Sequence, residues 1–215
     1  MSWTFRKAAK FFDVVTYTGN GANRTIAHSL GQVPGMIIVK CTSIASDWYV
    51  YHNALVNTDH LVLNATTAKA TDATLWNSTT ATSSVFSIGT SSVVNTSAAT
   101  YVAYLFAHDT ASTGLIQCGS FTTDGSGNAT VTLGWEPQYF LKKPVVVGSW
   151  TTQDSSCGWN LTGTNNLYPN LSNAEQVTTS PGGNPTATGF QTTGNLGSAS
   201  TTYIYLAIRR GPMAQ

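Results

Sequence analysis

Apolar and polar side chains alternate along this chain in short runs, and Gly, Asn, Ser and Pro cut the runs at close intervals. A period of two marks strands that turn one face to a core. Few segments carry apolar residues at i, i+3 and i+4, and the many β-branched and hydroxyl side chains work against helix. The runs predict strands at 13–18, 24–29, 35–41, 47–52, 60–64, 84–88 and 100–107. They continue at 115–121, 129–133, 138–147, 157–161, 187–191 and 202–209. This density of short strands predicts an all-β protein built from antiparallel β-sandwich or jelly-roll-like modules. Gly19-Asn20-Gly21 and Asp124-Gly125 read as hairpin turns, since both tolerate positive φ. Ile37, Val39, Leu105 and Leu206 are expected core residues.

The pattern occurs twice. Leu30-Gly31-Gln32-Val33-Pro34 returns as Leu133-Gly134-Trp135-Glu136-Pro137, each copy followed by an apolar run and lysine. Tyr101 to Ala107 returns as Tyr203 to Ile208, which aligns His108 with Arg209, and His28 aligns with Val131. A period of about one hundred residues is too long for a solenoid unit and suits tandem small domains. The expected modules are 11–109 and 115–211, joined at the short polar stretch Asp109–Gly114. Two polar loops, 65–83 and 162–186, are where the copies differ most, and the second, rich in Pro and Gly, reads as irregular.

Ahead of the modules, residues 1–10 form an expected attachment segment. Ser2 to Lys7 resembles the last strand of the second copy, an apolar alternation ending in two bases. Trp3, Phe5, Arg6 and Lys7 then belong to a short N-terminal strand that must pair with this chain, a neighbouring subunit or another protein. The plainer reading is an amphipathic leader.

Composition narrows the function classes. Hydrophobic residues at 41% suffice for cores, yet charged residues are only 9%, far below the ~25% of an average globular protein. Ser and Thr fill about a quarter of the chain, a profile of β-rich extracellular or virion proteins. A net charge of +1 leaves no footprint for nucleic acid. No run reaches the ~18 apolar residues of a membrane helix, and Arg6, Lys7 and Lys10 interrupt any signal-peptide core. Cys41, Cys118 and Cys157, an odd number, read as free thiols of a protein made in a reducing cytoplasm. Seven Asn-X-Ser/Thr sequons are what an Asn- and Thr-rich chain produces by chance.

Motifs for catalysis are lacking: no nucleophile elbow, phosphate loop, zinc helix or calcium loop. The nine acids are dispersed, His28 reads as a core or edge residue, and His52 and His60 lack a third ligand for zinc. No enzyme activity, metal or cofactor is expected. Aromatic residues carry more meaning, because a ring beside amide and hydroxyl groups holds sugars by stacking and hydrogen bonds. Trp76 with Asn77, Trp159 with Asn160, and Tyr168 sit in or beside the long loops and are the candidate glycan or receptor contacts. Core filling is the competing reading for each ring, and it is the favoured one for Trp48.

Phe11 to Gly21, Arg24 to Gly31, Val33 to Lys40, Asp47-Trp48-Tyr49-Val50-Tyr51-His52, Tyr101 to Asp109 and Gly134 to Gln138 together resemble a repeat of virion proteins in tailed bacteriophages of marine hosts, cyanophages among them. The resemblance covers the first module and the outer parts of the second. From Pro144 to Tyr168 no clean copy of the Asp47–His52 segment is visible. The resemblance implies a non-enzymatic structural protein of tail-fibre or tail-tip type, located in the virion and displaying loops to a host-surface glycan. It implies a homo-oligomer, a trimer first, in contact with other virion proteins. The alternative is a capsid or tail decoration protein that stabilises the particle without binding a receptor.

Overall fold

A computed structural model describes residues 4–156, 164–178, 183–192 and 199–211. Within the described residues, the strands expected from alternation are present with changes at their ends. The first half holds β1 (Phe12–Thr18), β2 (Arg24–Ala27), β3 (Pro34–Cys41), β4 (Trp48–His52), β5 (Asp59–Val62), β6 (Ala70–Thr71), β7 (Val85–Ile88), a single helical turn α1 (Ser92–Asn95) and β8 (Thr100–Ala107). The second holds β9 (Ile116–Thr122), β10 (Ala129–Thr132), β11 (Pro137–Pro144), β12 (Thr151–Asp154), β13 (Thr164–Asn166), β14 (Gln176–Thr178), β15 (Asn184–Thr186), β16 (Gly189–Thr192) and β17 (Thr202–Arg209). The chain divides into two units, Met1–Asn64 with Lys69–Asp109, and Ala65–Ala68 with Thr110–Gln215. The main boundary falls inside the expected linker.

Each unit is sandwich-like and antiparallel. The first has a sheet in the order β1-β8-β3-β4-β5-β6, and the second a sheet β12-β11-β17-β9. Read from the matching edge, the order β1-β8-β3-β4 recurs as β9-β17-β11-β12. The pair β2–β7 recurs as β10–β16, to which β15 is added. The Leu-Gly-X-X-Pro corner is the same twice: Gly31 and Gly134 have φ of 65° and 83°, and each following strand bulges just after its proline. Ala98 and Ser200 both sit at positive φ, ahead of the last strand of each unit.

Core geometry repeats as closely. Tyr17 and Tyr101 stack with centroids 5.0 Å apart and planes at 9°, and Phe121 and Tyr203 do so at 5.2 Å and 9°. Phe86 and Phe190 meet the first ring of each pair edge-on. One exchange shows how volume is kept. Val15 faces Ala103 across the first sheet, whereas Gly119 faces Tyr205 in the second. A Cβ on Gly119 would lie 2.7 Å from the Tyr205 hydroxyl, so the large ring requires the missing side chain.

Ile37, Val39, Leu105 and Leu206 are all buried, but Leu206, paired with Leu141 and Cys118, has the opposite parity to Tyr203, Tyr205 and Ala207, which line the core of the second unit. Leu105→Ala is expected to destabilise the first unit by ~2–4 kcal/mol, from lost burial and the cavity left behind. An unchanged thermal melt for that variant would contradict the strand faces assigned here.

Several expectations need correction. Gly19-Asn20-Gly21 and Asp124-Gly125 are not hairpin turns, because β1 pairs with β8 while β2 pairs with β7, and β9 pairs with β17 while β10 pairs with β16. Both segments carry the chain from one sheet to the other. In the first unit Asn95 holds this corner, donating to the carbonyls of Ala22 (2.8 Å) and Gly89 (2.7 Å) and accepting the Asn20 N–H (2.9 Å). The strand expected at 138–147 stops at Pro144, and the apolar Val146 and Val147 beyond it are exposed. The strand expected at 157–161 lies outside the described residues. The 162–186 stretch is not irregular throughout: it contains β13, β14 and β15, with Pro185 tolerated because β15 is an edge strand. The expected N-terminal strand makes no ladder with its own chain among the described residues. Of residues 2–7, those described, 4–7, lie in no ladder.

The alignment also shifts in two places. Val131 pairs with Phe190 as Ile26 pairs with Phe86, so in the ladder Val131 takes the place of Ile26, not of His28. His108 N–H donates to the Val33 carbonyl as Arg210 N–H donates to that of Glu136, which matches His108 to Arg210.

Candidate binding face

Alternation places one set of side chains from β1, β8, β3 and β4 in the core and the other set on the opposite face of the sheet. That opposite face is unusually aromatic. Its cross-strand rows run Phe12–Phe106–Met36–His52, Val14–Tyr104–Ile38–Val50 and Val102–Lys40–Trp48. Trp48, Tyr104, Val14 and Val102 are only half-buried. The rings of Trp48 and Tyr104 are 6.2 Å apart with planes at 23°, and Tyr104 and Phe12 are 6.5 Å apart at 19°. Three nearly parallel rings therefore form a line across the sheet.

Phe5 extends the line at one end, 5.3 Å from Phe12 and edge-on to Phe106 at 5.5 Å. Lys7 ties this segment down: its ammonium is 2.7 Å from Asp13 Oδ1 and donates to the Val14 carbonyl at 3.1 Å. Burial opposes the Asp13 charge, but Lys7 and the N–H groups of Ser29 and Val14 outweigh it and hold the carboxyl below its usual range. Phe5 and Lys7, expected to serve assembly, are thus engaged within their own unit. Arg6 is exposed, and Trp3 lies outside the described residues.

Hydroxyl, amide and carbonyl groups surround the other end. Lys40 lies 5.8 Å from the Trp48 ring centre and donates to the Ser46 carbonyl. Asn64 accepts the Trp48 N–H at 3.0 Å and donates to Asp47 at 2.8 Å. The hydroxyls of Thr42 and Thr100 are 2.7 Å apart. Two open depressions, of 510 and 440 Å³, adjoin along this face and share Trp48 and Tyr104.

The second unit supplies an internal control. Trp150 N–H donates to Asn170 as Trp48 N–H does to Asn64. Ser156 N–H donates to Asp154 as Ala54 N–H does to His52. Trp150–Asp154 is therefore the counterpart of Trp48–His52, a copy hidden because little but the tryptophan is retained. Here the matching positions are Trp150, Leu206, Cys118 and Leu141, and all are buried. Among the described residues the row is aromatic only in the first unit, where Trp48 and Tyr104 are half-buried and Phe12 is buried.

The interior of the second unit differs in another way. Register puts Lys142 where the first unit has Val39, and Gln153 where it has Tyr51. Lys142 is buried, and that burial pushes its ammonium down to about 7. Its nitrogen lies 5.6 Å from the Phe140 ring centre. Gln153 donates to Asn166 at 2.7 Å, while its own carbonyl oxygen has no hydrogen-bond partner.

The loop residues singled out from the sequence fare unevenly. Trp76 is 1% exposed, meets Tyr51 edge-on at 5.8 Å and donates its Nε1–H to the Asp59 carbonyl. It is a core residue, not a contact residue. The polar loop folds it inward through the turn at Asp72, which accepts both the N–H and the hydroxyl of Thr74. Asn77, half-buried at φ 51°, turns the chain just after it, and its carbonyl accepts the Thr79 hydroxyl. Tyr168 is half-buried and its hydroxyl donates to Gln176 at 3.0 Å. Trp159 and Asn160 lie outside the described residues.

His28 is a buried, neutral structural residue. Its Nδ1 accepts the Leu30 N–H and its Nε2 meets the Thr82 carbonyl, and burial pushes it below the usual histidine range. Among the described residues no three His, Cys, Asp or Glu side chains gather as a metal set. Cys41 and Cys118 are buried, and Cys157 lies outside the described residues. No helix of the described residues is long and apolar enough to cross a membrane.

Residues 6–212 match the model of a family described as a domain of unknown function, DUF7483, and the chain belongs to that family. One family model spans both repeats, so the pair of units is the family's unit. No curated protein and no solved structure matches the chain.

Proposed function

We propose that this DUF7483 chain is a non-enzymatic structural protein of a tailed-bacteriophage virion, of tail-fibre or tail-tip type, that contributes to attachment at the host surface. The phage assignment comes from the sequence resemblance. One structural observation supports an attachment role: two copies of one scaffold agree down to single main-chain hydrogen bonds, yet among the described residues only the first leaves two rings of this sheet face, Trp48 and Tyr104, half-exposed. A partly exposed aromatic patch is a usual place for a contact, and Trp48, Tyr104, Val14 and Val102 form one. The contact surface in this reading is that sheet face, in place of the tip around Trp76.

Labelled full-length protein is expected to bind cells of the phage's host and to lower adsorption of the intact phage. Its solution mass is expected to be that of an oligomer, a trimer first. Antibody labelling confined to the capsid or tail surface, with no binding to cells, would favour the decoration-protein reading instead.

A further inference from the structure

We infer that the outer face of the first sheet is the seat of this chain's own N-terminal arm, in which Trp3 completes what Phe5 begins by packing across Tyr104 towards Trp48. On the attachment reading the arm is a built-in cover that a receptor displaces. The seating itself stands apart from that reading and goes beyond it.

The described part of the arm already lies on this face. Ala8 and Phe12 exchange main-chain hydrogen bonds of 2.9 and 3.0 Å, and Lys10, at φ 59°, turns the chain between them. The turn sends the arm back along β1. Lys7 reaches Asp13 and the Val14 carbonyl, and Phe5 packs on Phe12 and Phe106. Thr4 and Phe5 then line the 440 Å³ depression together with Val14, Ile38, Trp48 and Tyr104. Parity and reach select Trp3 as the next residue to enter it. Thr4 and Arg6 are exposed while Phe5 between them is half-buried, so the arm alternates and Trp3 falls on the side of Phe5. Three extended residues span about 10 Å, and the rings of Tyr104 and Trp48 are 6.2 Å apart. The aromatic arm is particular to this unit. Phe5 to Phe11, the seven residues before β1, hold two phenyl rings, whereas the seven before β9, Asp109 to Leu115, hold none.

The test is a double-mutant cycle on the full chain, read by thermal melts, with the transition of the first unit identified as the one that Leu105→Ala moves. Trp3→Ala should lower that transition by roughly 4–8 °C. In a Tyr104→Ala background the same change should lower it by less than half as much, because residues in contact do not act additively. Trp48→Ala supplies a second background should Tyr104→Ala melt without cooperativity. Arg6→Ala, on the other side of the arm, should move the transition by less than half the Trp3→Ala shift. Labelled Trp3→Ala protein should also bind host cells roughly twofold or more above the parent, since the fraction of chains with a free face sets the apparent affinity.

No shift with Trp3→Ala, or equal shifts in the parent and in both backgrounds, would overturn the inference. So would coupling that emerges only at concentrations where the solution mass rises, because Trp3 would then sit on a second copy. Cell binding separates the two readings. Coupling between Trp3 and Tyr104 with no cell binding by either protein would keep the arm on its seat and remove attachment. Cell binding without that coupling would remove the arm and leave the attachment reading standing.

Discussion

Lys142→Met is expected to make the second unit more stable at neutral pH, by roughly 4 kcal/mol. The lysine occupies an interior position that the first unit gives to Val39, and burial displaces its ammonium from an ordinary 10.5 to about 7. Each pH unit of displacement corresponds to ~1.4 kcal/mol of preference for the neutral form. The sign follows from which state holds the proton. Between about pH 7 and 10.5 the unfolded chain keeps the lysine proton and the folded unit does not. Stability should therefore rise with pH across that window and level off below it, where both states are protonated. Methionine has similar length and no charge to desolvate, so the variant should lose the part of this slope below about pH 8, keep the part that Lys143, itself pushed down to about 8, supplies above it, and gain stability most at the low end. Denaturant unfolding of the full chain across that window measures both effects. A parent whose stability falls as pH rises from neutral, or a variant no more stable than the parent at neutral pH, would contradict the burial of that amine.

Trp76→Ala is expected to cost the first unit ~3–5 kcal/mol, the range for truncating a large buried ring. The ring is 1% exposed, touches Tyr51 and donates to the Asp59 carbonyl, so truncation opens a cavity and leaves an acceptor without its donor. An exposed contact tryptophan would behave in the opposite way, with binding lost and stability kept. At Trp48, half-buried on the sheet face, the expected order is that second one: a stability loss of about 1 kcal/mol and a large loss of binding. Thermal melts of the two variants side by side distinguish the assignments. A Trp76→Ala protein as stable as its parent would restore the loop tip as a candidate surface.

The contrast between these two tryptophans shows where sequence reading stops. Both sit among Asn, Asp and Thr, and local pattern cannot say which way a polar loop folds. Trp76 goes inward because the turn at Asp72 and the left-handed pair Asn77 and Ser78 bring the loop back under the sheet. Trp48 goes outward because its parity on β4 is opposite to that of Tyr51. That parity was visible in Trp48-Tyr49-Val50-Tyr51, but which parity faces the core depends on what covers each face. Tyr104 went unnoticed as a half-exposed ring of this face for the same reason. Comparing Tyr104 with Leu206 at matched positions would have been the available hint.

By itself the sequence determined the all-β class, the tandem repeat, nearly every strand of the first unit and the Leu-Gly-X-X-Pro corners. These follow from side-chain period, turn chemistry and the positive φ that glycine permits, all of which act within a few residues. Only the tertiary structure decided that the Gly-rich segments cross between sheets, that Trp150–Asp154 repeats Trp48–His52, and that a lysine lies in the second interior. It likewise decided which rings are open to solvent. Those outcomes depend on strands distant in the chain pairing in one register, and a short segment carries no record of the partner that will cover it.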